Sequence, residues 1–178
     1  PAMRGWANDV PNYSPPVPIG NPMRSFGVGE VTASRHPGYA AGDVVHGMFG
    51  WQTHAMVDGD SIDRKVTETD LPHSYALGIL GLNGTTAYFG LRECCAAREG
   101  DTVVVSTAAG AVGSAVGQIA GIMGCRTVGV AGGPVKARQC LDEFGYDSAI
   151  DYKAGDVGAA LDAACPDGVD CYFDNTCG

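Results

Sequence analysis

The chain has 178 residues, of which 45% are hydrophobic and 17% are charged, so it can bury one good hydrophobic core or two modest ones. Its net charge of −9 and its lack of any basic run argue against binding to nucleic acid or to an anionic membrane surface. No apolar run approaches the roughly 20 residues that span a bilayer, so we expect a soluble protein.

Short β-like runs separated by proline and glycine characterise the first 75 residues. Residues 1–22 contain six prolines and are expected to be mostly extended or irregular. Strand-like runs follow at residues 25–33, 43–49 and 53–57. Short strands with turn signals at close spacing predict a small antiparallel barrel or sandwich.

Strand-like and helical segments alternate in the last part of the chain. Strands are predicted at residues 102–105, 127–131, 149–152 and 169–173, and helices at residues 111–123, 134–144 and 157–165. This alternation predicts a parallel sheet with right-handed crossovers. Helical structure broken by Gly81 and Gly84 precedes it. We therefore expect one domain at 1–75, a helical connection at 76–94 and a second domain at 95–178.

The potential metal-ligating residues have no spacing typical of a metal site. The cysteines contain no C-x-x-C pair, and no two histidines are spaced to lie on one face of a helix. The acidic residues between 58 and 70 lack the frame of a calcium loop. We predict no metal, free thiols in a reducing cytoplasm, histidines at surface or capping positions, and a solvated acidic loop. The residues are Cys94, Cys95, Cys125, Cys140, Cys165, Cys171 and Cys177; His36, His46, His54 and His73; and Asp58, Asp60, Asp63, Glu68 and Asp70.

A glycine-rich turn follows the first strand of the second half. Ala108, Gly110 and Gly113 have the spacing (G/A)-x-G-x-x-G between a strand and a helix, which is typical of dinucleotide binding. Gly110 would leave room for a pyrophosphate, Gly113 would let helix and strand approach closely, and the helix N-terminus offers free N–H groups. The alternative is a small-residue helix without a ligand, but the flanking strand and helix favour the nucleotide.

The end of the next strand indicates which dinucleotide binds. An acidic residue normally lies there and binds the ribose 2′-hydroxyl, but residues 130–134 contain none. Lys136 follows at once, and a cation there suits a 2′-phosphate. The alternative is an ordinary solvated lysine in a first helical turn. The missing acid favours NADP over NAD.

Together these residues resemble the medium-chain dehydrogenase/reductase superfamily, in its zinc-independent branch of NADPH-dependent alkenal double-bond reductases and prostaglandin reductases. The matching motifs lie in order at residues 1–5, 15–20, 27–31, 36–43, 84–91, 108–114, 131–136, 151–153 and 173–175. The resemblance implies a partial GroES-like β-barrel domain followed by an incomplete Rossmann-type parallel sheet. The first residue, Pro1, and the apolar run before the last residue, Gly178, also suggest a piece of a longer protein.

The resemblance also implies roles for individual residues. Lys136 and Tyr152 would bind the 2′-phosphate, and Asn175 would reach the cofactor from the end of the fourth strand. Thr86 matches a threonine on the nicotinamide side, and it joins Arg4 as a candidate for the substrate pocket. The residues that would surround the pyrophosphate are Ala109, Gly110, Ala111, Val112 and Gly113.

The function implied by the resemblance is NADPH-dependent reduction of the C=C bond of α,β-unsaturated aldehydes or ketones, by hydride transfer to the β-carbon without a metal. The alternatives are a quinone reductase on the same scaffold and a non-catalytic NADP-binding module. A tyrosine that serves the enolate in the family falls beyond residue 178, so no catalytic residue is predicted here. The full-length protein is expected to be a cytoplasmic enzyme, often dimeric in this family, that acts on a small enal or enone.

The chain departs from the family's pattern at a few positions. Ala2 replaces a frequent tyrosine, Leu82 and Asn83 replace Met-Pro, and residues 176–177 replace Val-Gly. The changes at Ala2 and Leu82 are expected to alter the substrate pocket. Thr107, where relatives often have alanine, has no predicted role.

Overall fold

Two separate sheets organise the chain. The computed structural model describes residues 2–9 and 14–176, and the chain divides into two units, Pro1–Leu77 and Gly78–Gly178. The first unit contains an antiparallel sheet of three strands, and the second contains a parallel sheet of four. These sheets confirm the predicted fold class, whereas the domain boundaries at residues 75 and 94 stay predictions.

The antiparallel sheet has the order β1-β2-β3, with β1 at Gly27–Glu30, β2 at Val44–Gly47 and β3 at Ile62–Lys65. The runs predicted at 25–33 and 43–49 contain β1 and β2. An ion pair links β3 to the start of β2, because Lys65 Nζ lies 2.7 Å from Asp43 Oδ2. The hydrogen bond from Lys65 lowers the pKa of the Asp43 carboxyl.

The third predicted strand, at residues 53–57, is wrong. Among the described residues that segment forms no strand ladder, and the side chain of Met56 is fully exposed. The strand β3 lies instead in the segment expected to be a solvated acidic loop, and Asp63 belongs to it. The expectation of surface histidines is also wrong for His46, which is buried on β2 with its Nδ1 3.0 Å from Asp63 Oδ2.

The N-terminal segment, predicted to be mostly extended or irregular, contains one short helix. A short helix, α1, occupies Ala2–Ala7. The sequence of α1 contains no proline, and alanine, methionine and arginine favour helices, so the prolines around it do not prevent it from forming. Trp6 O accepts a hydrogen bond of 2.8 Å from Val17 N, and the Arg24 guanidinium lies over the Trp6 ring.

The parallel sheet has the order β6-β5-β4-β7. Its strands are β4 (Thr102–Val105), β5 (Arg126–Ala131), β6 (Ser148–Asp151) and β7 (Cys171–Phe173). The helices of this unit are α2 (Leu82–Phe89), α3 (Ala111–Ile122), α4 (Pro134–Asp142) and α5 (Val157–Ala164). The predicted strands and helices are confirmed to within two residues at most ends. The strand order reverses at β4, and ligands of such sheets bind at the carboxyl ends of the strands beside this point.

The core of the second unit lies on both faces of the parallel sheet. Val103 and Val105 of β4 pack into one cluster with residues of α2 and α3. Val104, which points to the opposite face, packs into a second cluster with residues of α5. Burial on both faces explains why β4 is a continuous apolar run rather than an alternating one.

The connection before the parallel sheet is more regular than the sequence predicts. α2 begins directly after Gly81, but it continues through Gly84, so the predicted break at Gly84 is wrong. A Cβ atom at Gly84 would lie 1.8 Å from the Ile79 carbonyl oxygen. Gly84 is therefore explained by close packing of the helix against the preceding turn. A π-helical turn, Gly90–Cys94, extends α2.

The start of α5 depends on one carboxylate. Asp156 precedes the helix, and its side chain accepts hydrogen bonds from the backbone N–H groups of Gly158 and Ala159. We expect Asp156→Ala to lower the free energy of unfolding by about 1 kcal/mol, because two helical donors lose their partner. A lower urea midpoint of the full-length protein would show this loss. Asp162→Ala, an exposed change inside the same helix, is the control and should have little effect.

No helix within the described ranges is long and apolar enough to cross a membrane.

Candidate functional site

The glycine-rich turn lies between β4 and α3, as predicted. Gly110 immediately precedes the helix, and its N–H donates to Thr107 O at 2.8 Å. No side chain caps α3. The first N–H groups of a helix have no partner within it, so they are available to an anion at this end. The predicted pyrophosphate residues thus lie together around the N-terminus of α3: Ala109, Gly110, Ala111, Val112 and Gly113.

Thr107 gives the turn its shape. Its φ of 50° is in the left-handed region, which residues with side chains rarely adopt. A Cβ atom at Gly113 would lie 2.4 Å from Thr107 O and 2.8 Å from Ala108 Cα. A Cβ atom at Gly110 would lie 2.9 Å from the same oxygen. Both glycines therefore let the turn fold tightly under the helix, and Thr107, which had no predicted role, is the residue they surround.

Tyr146 fixes α3 to the rest of the unit, a role that was not predicted from the sequence. Its hydroxyl donates a 2.7 Å hydrogen bond to Gly113 O, and burial raises the pKa of the phenol. A Cβ atom at Gly117 would come within 2.4 Å of its ring, and a Cβ atom at Gly129 would meet Ala108 Cβ at 2.8 Å and the ring at 3.2 Å. These two glycines are a signal that a large side chain packs there, although they do not identify it.

Lys136 and Tyr152 lie at the carboxyl ends of neighbouring strands. Lys136 is in the first turn of α4 after β5, and it is exposed. Tyr152 directly follows β6, and a Cβ atom at Gly132 would lie 2.7 Å from its hydroxyl oxygen. Within the described residues, no carboxylate pairs with the Lys136 ammonium group. Tyr152 therefore packs against the loop at Gly132, and Lys136 lies in the first helical turn after this loop.

Asp151 supports the loop that follows β5. Its Oδ1 accepts hydrogen bonds from the backbone N–H groups of Gly133, at 2.7 Å, and Lys153, at 3.0 Å. The residues after β5, Gly132 and Gly133, carry no side chain. The residues directly after β5 thus carry no carboxylate of their own, and the Asp151 carboxylate at this loop is hydrogen-bonded to the backbone.

Asn175 is fixed to the end of β4. Its Nδ2 donates to Ser106 O at 2.8 Å, and its backbone N–H donates to Ser106 Oγ at 2.7 Å. Ser106 Oγ in turn donates to Asp174 Oδ1 at 2.8 Å. These bonds join the carboxyl ends of β4 and β7, which is where the strand order reverses. The side chain of Asn175 is therefore held at the edge where α3 begins.

Removing the Ser106 hydroxyl should loosen this edge. We expect Ser106→Ala to lower the free energy of unfolding by about 1–3 kcal/mol, because a partly buried N–H group and a carboxylate both lose a partner. A thermal unfolding midpoint of the full-length protein measures the loss. Ser114→Ala is a suitable control, since that hydroxyl contacts only Ala111 O in its own helix. Equal midpoints for the two variants would contradict the role given to Ser106.

The two candidates for a substrate pocket lie in different units. Arg4 is exposed on α1 of the first unit. Thr86 is exposed on α2 of the second, and its hydroxyl donates to Leu82 O at 2.7 Å. A common role for Arg4 and Thr86 stays a prediction. Of the positions that depart from the family's pattern, Cys177 and the side chain of Ala2 lie outside the described residues.

Among the residues that the structure describes, no group of three or more histidine, cysteine, aspartate or glutamate side chains could hold a metal ion.

Comparison with known proteins finds a matching family for each of two parts of the chain. Residues 1–64 match the family described as the N-terminal domain of oxidoreductase, and residues 111–178 match the family described as zinc-binding dehydrogenase. The chain is 44% identical to the NADPH-dependent curcumin reductase of Escherichia coli (strain K12), with 100% of the chain and 51% of that protein covered. It is 46% identical to prostaglandin reductase 1 of Oryctolagus cuniculus, with coverages of 89% and 46%.

Two further comparisons agree with these. The chain is 43% identical to the 2-alkenal reductase (NADP(+)-dependent) of Nicotiana tabacum, with 89% of the chain and 47% of that protein covered. The structure matches that of CurA in complex with NADPH from Vibrio vulnificus with a TM-score of 0.87 and 42% identity, over 99% of this chain and 52% of that one. The chain thus spans about half the length of the curated relatives it matches.

Proposed function

Because the chain belongs to the medium-chain dehydrogenase/reductase superfamily, we propose that its full-length protein is an NADPH-dependent reductase of the C=C bond of α,β-unsaturated aldehydes or ketones. The observation that carries the proposal is the 44% identity, over the whole chain, to a relative named as an NADPH-dependent curcumin reductase. The similarity to a 2-alkenal reductase supports the same reaction class.

The residues present fit a bound NADPH. The N-terminus of α3 has no side-chain cap, so its N–H groups can receive a diphosphate. The residues directly after β5 carry no carboxylate, the nearby Asp151 carboxylate accepts hydrogen bonds from two backbone N–H groups, and Lys136 lies in the first turn of α4. The carboxyl end of β5 and the start of α4 therefore suit a phosphorylated ribose better than an unphosphorylated one.

Each part of this edge would contribute to binding in its own way. The uncapped N–H groups and the dipole of α3 would stabilise the negative diphosphate. Lys136 would add a charge-assisted hydrogen bond to the 2′-phosphate, and the Tyr152 hydroxyl would donate a second. Asn175, held by Ser106 through its amide nitrogen, would reach the cofactor beside the start of α3. When bound, NADPH supplies the hydride that reaches the β-carbon of the substrate. We assign no proton donor to this chain.

The proposal is tested by steady-state oxidation of NADPH by the full-length protein. We expect turnover with an α,β-unsaturated aldehyde, and we expect mass spectrometry to identify the saturated aldehyde as the product. A quinone is the comparison substrate, because a quinone reductase would use the same cofactor residues. Turnover with the quinone alone would replace the proposed reaction. Tight NADPH binding without turnover of either substrate would favour a non-catalytic NADP-binding module.

We further propose that the full-length protein acts in the cytoplasm as a homodimer on a small enal or enone. The six cysteines among the described residues are all free thiols, which supports a reducing compartment. Light scattering after size-exclusion chromatography tests the dimer, and a monomeric mass would contradict it.

A further inference from the structure

Gly113 links the start of α3 to a side chain that is distant in the sequence. It is the third residue of the helix, so its N–H group is one of those that have no partner within the helix. The turn before α3 restricts it, because a Cβ atom there would lie 2.4 Å from Thr107 O and 2.8 Å from Ala108 Cα. Its carbonyl oxygen also accepts the 2.7 Å hydrogen bond from the Tyr146 hydroxyl. One residue thus carries both a helical N–H that could face a diphosphate and the contact with Tyr146.

Tyr146 is itself firmly held. Its backbone N–H donates to Cys140 O in α4 at 3.0 Å. The next residue, Asp147, accepts hydrogen bonds from the N–H of Thr127 in β5 at 2.7 Å and from its hydroxyl at 3.0 Å. Gly145, just before Tyr146, has a φ of 68°, which glycine adopts without strain. The chain is therefore fixed to α4 and to β5 around Tyr146, and the buried ring has a defined position.

The ring and the hydroxyl of Tyr146 have separate contacts. The ring lies beside Gly117, where a Cβ atom would come within 2.4 Å of it. The hydroxyl adds one directed hydrogen bond, to Gly113 O. Burial raises the pKa of the phenol, so the hydroxyl keeps its proton and remains a donor at neutral pH. Replacement of the tyrosine by phenylalanine would therefore remove the hydrogen bond and keep the packing of the ring.

We propose that the Tyr146 hydroxyl is a positioning group for the cofactor: it holds Gly113, and thereby sets where the first N–H groups of α3 point and how tightly they bind a diphosphate. Hydrogen bonds to charged oxygens are strong, and they weaken steeply when the donor turns away. Tyr146 would not touch the nucleotide, because its ring is buried and its hydroxyl is bonded to the helix. The inference rests on the proposed binding of NADPH.

This role predicts a pattern of affinities that differs from the pattern expected for Lys136. NADPH and NADH carry the same diphosphate, so loss of the Tyr146 hydroxyl should weaken both to the same degree. Adenosine 2′-monophosphate carries the 2′-phosphate but no diphosphate, so its binding should not depend on the hydroxyl. Loss of the Lys136 ammonium group should instead weaken only the two nucleotides that carry a 2′-phosphate.

The experiment measures dissociation constants for the full-length protein and its Tyr146→Phe variant by calorimetric titration. The probes are NADPH, NADH and adenosine 2′-monophosphate, the last also in competition with NADPH. In Tyr146→Phe we expect NADPH and NADH to bind about 3- to 10-fold more weakly, as for the loss of one hydrogen bond, with an unchanged ratio between them. We expect the binding of adenosine 2′-monophosphate to stay the same.

Thr127→Val is the matched control. Thr127 is also fully buried, and its hydroxyl donates to Asp147 Oδ2 and accepts from the Asp147 N–H. It lies near the amino end of β5, whereas α3 begins after the carboxyl end of β4. Valine has a similar size but no hydroxyl, so this variant should have a lower urea midpoint. A loss of stability alone does not move the N–H groups of α3, so we expect none of the three dissociation constants to change.

Several results would overturn the inference. Unchanged affinities for both dinucleotides in Tyr146→Phe, with a lower urea midpoint, would make the hydroxyl purely structural. The same weakening in Thr127→Val would attribute it to a general loss of stability. A Tyr146→Phe variant that does not fold would show that the hydroxyl is a requirement of the fold and not a positioning group. If the unsubstituted protein bound neither dinucleotide, the proposed function itself would fail, so the two failures are distinguishable.

Discussion

Gly113→Ala should lower the free energy of unfolding of the protein by about 3 kcal/mol and abolish measurable NADPH binding. The added methyl group would lie 2.4 Å from the Thr107 carbonyl oxygen and 2.8 Å from Ala108 Cα. Both are backbone atoms of a tight turn, so neither can move aside without opening the turn. The same shift would displace the N–H groups at the start of α3. A urea midpoint and a titration with NADPH measure the two effects.

The same helix provides a matched control. Gly121 lies near the other end of α3, and a Cβ atom there would meet nothing within 4 Å. Gly121→Ala should therefore raise the free energy of unfolding by about 0.5–1 kcal/mol, because alanine favours a helix over glycine. If the free energy of unfolding falls in Gly113→Ala and rises in Gly121→Ala, the destabilisation is located in the turn. A stable Gly113→Ala variant that binds NADPH normally would refute the steric argument.

Lys136→Ala should weaken NADPH binding by about 10- to 100-fold and leave NADH binding almost unchanged. A charge-assisted hydrogen bond to the 2′-phosphate would be lost, and NADH carries no such phosphate. Fluorescence titration of both nucleotides with the full-length protein gives the two dissociation constants. NADH serves as the control within the same variant, because a general disturbance of the site would weaken the binding of both nucleotides.

Arg138→Ala is the control for the Lys136 experiment. Arg138 is also an exposed cation on α4. It lies two positions after Lys136, so its side chain leaves the helix on a different side. We expect it to change neither dissociation constant appreciably. Equal losses of NADPH and NADH binding in Lys136→Ala would refute the assignment of the 2′-phosphate to Lys136.

The parallel sheet could be predicted from the sequence because its signals are local. The strand β4 is a run of buried residues, the glycines before α3 have the spacing of a known turn, and Pro134 marks the start of α4. Each signal lies within a few residues of the element that it predicts. The ends of elements shifted by one or two residues, which is where helices and strands usually fray.

The missed features depend on contacts that are distant in the sequence. The strand β3 alternates half-buried with exposed residues and includes Asp63 and Arg64, so its composition resembles a solvated loop. The ladder to β2 and the pairing of Asp63 with His46 decide its structure. The role of Tyr146 depends likewise on a partner 33 residues away, at Gly113. Periodicity cannot identify such a partner, because nothing in the local pattern singles out one aromatic residue.

The packing of the Tyr146 ring couples the side-chain volumes that the fold allows at three positions. The ring occupies the space above Gly117 of α3 and, together with Ala108, limits the space at Gly129 of β5, so the side-chain volumes allowed at positions 117, 129 and 146 depend on one another. During divergence, these positions should change together: a methyl group at 117 would be accommodated once residue 146 is smaller. A substitution at position 117 that is destabilising alone thus becomes neutral once residue 146 has been replaced by a smaller one. The order of the two substitutions therefore limits which sequences the fold can reach.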